Sequence, residues 1–170
     1  MAGQYGAGNG AGRTAPNNHE GWGRVNFSHS ISPSNRFTTL GFKDETAGIL
    51  NTDNQVLNFT QVRFSFNKPV SITLVWTDKP APGVAPGGAT AGNQIIHDLD
   101  LIVVSPQGTL YHGNVFNADG SSTANPGARD NKANNVEKVV LRMPDDGLYN
   151  ITIRAADVNN PNPQQPFALV

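Results

Sequence analysis

Short apolar runs broken by Gly, Pro, Asn or Asp succeed one another from residue 36 to the C-terminus, and none keeps a 3.6-residue period over the length of a helix. A chain punctuated in this way folds as antiparallel sheet. The pattern predicts strands over 36–42, 55–66, 70–76, 98–104, 109–112, 136–143, 147–155 and 165–170. Such a series predicts an all-β fold, a jelly-roll sandwich or barrel of about eight antiparallel strands. Alternation aims Ile72, Leu74 and Trp76 at one face, with Thr73 and Thr77 on the other. It likewise aims Tyr149, Ile151 and Ile153 inward, against Asn150, Thr152 and Arg154. Leu57 and Phe59 have the opposite parity to Val62, Phe64 and Phe66, so a bulge near Thr60-Gln61 is needed to keep one inward face. Asp146-Gly147 predicts a tight turn.

The 170 residues suffice for one domain with a self-supporting core. Residues 1–25 are rich in glycine and lack periodic apolar positions, which predicts a flexible linker; residues 26–170 form the folded domain. Only 15% of residues are charged, the net charge is −1 and the basic residues are scattered. Nucleic acid and anionic membrane surfaces are therefore not expected partners, and a monomer is expected. There is no cysteine, hence no disulfide and no thiolate metal site. Met1-Ala2-Gly3-Gln4-Tyr5-Gly6 is not the basic-then-apolar opening of a signal peptide, and no stretch has the length of a membrane span.

Six segments in order carry a family resemblance. They are Pro16-Asn17-Asn18-His19-Glu20-Gly21-Trp22-Gly23-Arg24-Val25, Trp76-Thr77-Asp78, His97-Asp98-Leu99-Asp100-Leu101, Tyr111-His112-Gly113-Asn114, Asn134-Asn135-Val136-Glu137 and Gly147-Leu148-Tyr149-Asn150-Ile151-Thr152-Ile153-Arg154. Over residues 68–169 the chain resembles the C-terminal β-barrel of bacterial subtilisin-like serine proteases, the subtilase family. The first segment is similar to the end of their protease domain. The resemblance implies a secreted protein with its export signal upstream, and a non-catalytic accessory domain supporting the stability or maturation of the protease. Its expected partner is the catalytic domain of the same parent chain.

The chemistry-bearing residues are acidic and amide side chains at strand ends and in the two long connections, 78–97 and 113–135. Asp98, Asp100 and Glu137 are the leading candidates for a metal site, with Asp78, Asn114 and Asn134 beside them. Hard oxygen donors without cysteine suit Ca²⁺. Glu137 shares parity with Val139, Leu141 and Met143, so it faces the core, where a carboxylate needs a cation or hydrogen-bond donors. Turns favour the same residue types, so composition leaves a solvated-loop reading open. The resemblance adds weight to calcium, because relatives of this barrel bind it. The segment 130–135 is not an EF-hand loop, since it lacks the glycine at the sixth position.

Other chemistry is weaker. Histidines 19, 29, 97 and 112 show no zinc spacing. Asp119-Gly120-Ser121-Ser122 reads as a loop tip, and no Gly-Thr-Ser nucleophile motif is present, so the chain itself is not expected to be an enzyme. Trp76 and Tyr149 fall on the apolar parity, which favours core packing over a sugar platform. The sequons at Asn26, Asn58 and Asn150 are near chance in a chain this rich in asparagine. The rival reading is a stand-alone carbohydrate-binding or cell-surface adhesion module, because jelly rolls host many functions.

Overall fold

Residues two apart that are β-branched or aromatic bury one face of a strand and leave the other to polar neighbours. A computed structural model, describing residues 21–22, 39–49, 56–79, 95–127, 134–158 and 164–170, builds the fold on that rule. The strands are β1 (Lys43–Ile49), β2 (Val56–Phe64), β3 (Val70–Val75), β4 (His97–Val104), β5 (Leu110–His112), β6 (Val136–Leu141), β7 (Gly147–Val158) and β8 (Gln165–Leu169). They form two antiparallel sheets, ordered β1-β8-β3-β6 and β2-β7-β4-β5. This is the strand order of a jelly roll, laid out as an open sandwich whose sheets do not close into a barrel. No helix among the described residues is long and apolar enough to cross a membrane.

The core lies between the sheets. Ile72, Leu74 and Trp76 from the first meet Tyr149, Ile151 and Ile153 from the second, buried as alternation predicts, together with Leu99, Leu101 and Val103 of β4. The bulge in β2 falls where parity demands it. Phe59 pairs with Ile151 and Val62 with Tyr149, so β2 spends one residue more than β7, and Gln61 takes a φ of 63°. Leu57, Phe59, Val62 and Phe64 consequently all pack on the core.

The first strand among the described residues is Lys43–Ile49, and residues 39–42 of the expected 36–42 strand precede it without joining a ladder. Leu40 and Phe42 are exposed, and positions 36–38 lie outside the described residues. β1 is an edge strand held by its ladder to β8, and Ile49 is its one core side chain among those described, so little apolar periodicity marks it. Met143 is 73% exposed, because β6 ends at Leu141 and its parity does not continue. Phe66 is exposed for the same reason, two residues past the end of β2. β7 runs on to Val158, past a register shift opposite Asp98/Leu99 that returns Val158 to the core beside His97. Of the linker expected over 1–25, only Gly21 and Trp22 fall among the described residues.

Candidate functional site

The connection after β5 sews the two sheets together along one side. Asn114 sits in the left-handed region at φ 60°. Its backbone N–H donates to Lys138 O at 2.9 Å, its Oδ1 accepts Lys138 N–H at 3.0 Å and its Nδ2 donates to Val136 O at 2.8 Å. Further on, Ser122 N–H donates to Val140 O and Ser122 Oγ accepts Val140 N–H, each at 2.9 Å. The free edge of β6 is thus covered by side chains that imitate a neighbouring strand. Asn125 does the same for β5, accepting Leu110 N–H at 2.9 Å and donating to Leu110 O at 2.7 Å.

Glu137, flanked by these contacts, points from β6 into the sandwich and is buried. β5 stops at His112, so β4 has lost that neighbour by Leu101. Glu137 Oε2 accepts the Leu101 N–H, while Gly113 N–H donates to Leu101 O at 2.9 Å. The carboxylate therefore takes the place of a missing strand, and donors of this kind offset its desolvation. Gly113 is required by that approach: a Cβ there would lie 2.8 Å from Glu137 Cβ and closer still to its carboxylate.

Asp78 is a second staple. Its Oδ1 accepts Lys79 and His97 N–H at 2.9 Å each and its Oδ2 accepts Ile96 N–H at 2.6 Å, tying the end of β3 to the start of β4 across the sandwich. Beside it, Trp76 Nε1 donates to His97 O at 2.9 Å. Gln165 Nε2 donates to Thr77 O and Pro166 O, which leaves its Oε1 as the acceptor for His97 Nδ1–H at 2.8 Å. That tautomer puts a lone pair on the buried His97 Nε2, which has no partner among the described residues.

Asp98 and Asp100 leave β4 on its outer face. Asp100 Oδ2 accepts from Arg154 Nε at 2.8 Å and from its Nη2, making a mostly buried ion pair between cross-strand neighbours. Burial pushes the Asp100 carboxyl above its ordinary pKa while Arg154 pulls it back. Burial also depresses the nearby His112 imidazole. Asp98 lies opposite Asp157, and both make further interactions. Asn134 is exposed; Asn135 joins the framework, its Nδ2 donating to Trp76 O at 2.9 Å.

The fold thus brings Asn114 and Glu137 together, places Asp78 at the other end of the β4 stretch between residues 97 and 101, and turns Asp98 and Asp100 away on the outer face. Among the described residues no group of three or more His, Asp or Glu side chains could hold a metal ion. The carboxylates of Asp78, Asp100 and Glu137 each receive N–H donors, and the described residues do not gather the six candidates into one cluster. Asp130 lies outside the described residues.

Sequence reasoning missed Arg154 as the counter-ion of Asp100, Gln165 as the partner of His97, and Gly113 and Leu101 as the neighbours of Glu137. Outward parity at Asp100 and Arg154 was a usable signal for the first; the others depend on which strands adjoin. The expected loop tip holds, with Gly120 N–H closing a turn onto Asn117 O at 2.9 Å. No family model matches this chain, and no curated protein matches it.

Proposed function

We propose that this chain is the non-catalytic accessory domain that follows the catalytic domain of a secreted, subtilisin-like serine protease, and that it supports the stability or maturation of that enzyme. What supports the reading is that the segments carrying the resemblance are the joints of the sandwich. Trp76-Thr77-Asp78 grips the start of the 97–101 segment, and Tyr111-His112-Gly113-Asn114 grips Asn134-Asn135-Val136-Glu137. The 147–154 segment ends on Arg154, the partner of Asp100. Residues that recur in order because they close a fold are what a shared domain retains.

The domain acts by presenting a stable body to the enzyme, its described strands held by ladders and side-chain staples that resist local opening. Structural calcium belongs to what the resemblance implies, but the proposed role does not depend on it, since N–H donors already serve the described carboxylates. The reading frame upstream of residue 1 tests the proposal. An Asp, His and Gly-Thr-Ser series in frame is expected; a secretion signal directly before this domain would refute it in favour of a stand-alone binding module. The buried Trp76 and Tyr149, 2% and 1% exposed, offer such a module no sugar platform. The chain alone is expected to leave casein and peptide nitroanilides intact, and inhibitor-sensitive hydrolysis that follows the protein peak would overturn that.

A further inference from the structure

β8 is an interior strand that is laddered like an edge strand. It lies between β1 and β3. Against β3, Leu74 pairs with Leu169 and Val75 with Ala168, and Thr73 exchanges two backbone bonds with Val170 at 2.8 and 2.9 Å. Doubly bonded pairs recur every second residue of an antiparallel ladder, so this register sets Thr77 opposite Pro166 in such a pair. Proline has no N–H to give, and Thr77 O instead receives the side-chain amide of Gln165 at 3.2 Å. The ladder to β1 is broken at the same place. Glu45 pairs with Phe167 and Ile49 with Gln165, four steps along β1 against two along β8, and Gly48 takes a φ of 76°. In the other sheet the interior strand β7 is paired with β2 from Val56 to Phe64 and with β4 from His97 to Val104. The first half of β8 is therefore held by side chains more than by backbone.

Those side chains make the seat specific. Phe167 and Leu169 are buried in the core, and Gln165 Oε1 accepts His97 Nδ1–H at 2.8 Å. An unrelated strand laid between β1 and β3 would leave two core positions unfilled and the His97 N–H buried without an acceptor. The strand that fits is residues 165–169 of this sequence, from the same chain or from a second copy. Six residues, 159–164, join β7 to β8 and can span about 20 Å when extended, enough to hand β8 to a neighbour. The seat gains the same contacts either way, so concentration decides between the two arrangements.

We propose that β8 is an exchangeable strand, and that two copies of this chain form a closed two-fold dimer in which each inserts residues 165–169 between β1 and β3 of the other. The partner is a second copy, recognised through Gln165, Phe167 and Leu169. The exchange does not depend on the function proposed above, and it adds a slowly formed dimer to the monomer expected from composition.

The chain has no cysteine, so introduced thiols report alone. The double substitution Val75→Cys/Ala168→Cys places thiols on cross-strand neighbours, and a short thiol-to-thiol crosslinker applied to dilute monomer locks β8 into its own copy. Wild type, the locked chain and the unlocked double variant are held at about 1 mM just below the melting temperature, cooled, and sized by gel filtration with light scattering. Wild type and the unlocked variant are expected to give a dimer that survives dilution, and the locked chain about ten-fold less of it or none. When the single variants Val75→Cys and Ala168→Cys are mixed and treated alike, the dimer is expected to crosslink position 75 of one copy to position 168 of the other. Hydrogen exchange on the wild-type monomer needs no substitution: the Ala168 and Leu169 amides are expected to exchange about ten-fold or more faster than those of Ile151 and Ile153 in β7. No dimer from wild type, an equal yield from the locked chain, a dimer without the 75-to-168 link, or β8 amides as slow as those of β7 would each overturn the exchange.

Discussion

Gly113 and Glu137 should behave as one unit in a double-mutant cycle. Glu137→Ala removes the charged acceptor of the Leu101 N–H, which costs about 1–3 kcal/mol for a buried donor left alone. The lost packing of its methylene groups brings the total to about 3 kcal/mol. Gly113→Ala attacks the same contact from the other side. Gly113 has no left-handed φ to strain, so its cost is steric: the new Cβ falls 2.8 Å from Glu137 Cβ, and the carboxylate must leave Leu101. That substitution should also cost about 2–3 kcal/mol. Independent sites would sum to about 5–6 kcal/mol, but once Glu137 is alanine the methyl at 113 has room. The double variant should therefore sit near Glu137→Ala alone, a coupling of about 2–3 kcal/mol. Urea unfolding followed by the fluorescence of buried Trp76 resolves this, since slopes of about 1–3 kcal/mol/M separate the two outcomes by roughly 1 M or more. Costs that add to within about 0.5 kcal/mol would refute the latch.

Glu137→Gln keeps an oxygen acceptor and loses only charge assistance, so it should cost about 1 kcal/mol, equally in calcium and in chelator; a cost seen only with calcium present would mean that the carboxylate serves a metal. Trp76→Ala should cost about 3–5 kcal/mol in urea unfolding, whereas Trp22→Ala, at a side chain already 36% exposed, should cost far less; equal losses would mean that the N-terminal segment is packed on the sandwich. Asn114→Ala should cost about 2 kcal/mol, because two side-chain bonds to β6 go and the left-handed φ stays; unfolding midpoints matching wild type would refute its role as a strand substitute. Burial holds the His112 imidazole below its ordinary value of 6.5, so the unfolded chain takes up a proton that the folded one resists. Its contribution is present above pH 6.5 and is lost as pH falls through the depressed folded value; His112→Asn should flatten that part of the stability profile, and an unchanged slope would refute the assignment.

Strand-by-strand patterning made the sandwich legible, because burial on one face writes itself into a period of two. The β2 bulge was legible for the same reason: an inward face had to change parity between Phe59 and Val62. Edge strand β1 was not, since a strand with one neighbour and one buried core residue is held by backbone bonds that any side chains allow. The inward aim of Glu137 could be read from parity, but its partner could not. Leu101 belongs to the other sheet, and its N–H is free for a carboxylate only because β5 ends at His112. Asp98, Asp100 and Glu137 each stand near a strand entrance fed by a long connection, which suggested one site. Alternation within β4 separates them in space.

The strand order has a consequence for how this domain comes into being. β8 lies inside its sheet between β1 and β3, and β7 lies between β2 and β4. Residues 43–49 must wait for 165–169, and residues 56–64 for 147–158, before either finds its ladder. Nearly all pairing is therefore long in sequence separation, which makes folding slow and dependent on late loop closure. During synthesis the leading strands travel as unpaired edges until residues 165–169 emerge. A chain cut a few residues short at Gln165 would lose an interior strand and leave β1 and β3 with a gap between them. The arrival of β8, rather than of β1, decides whether this sandwich exists.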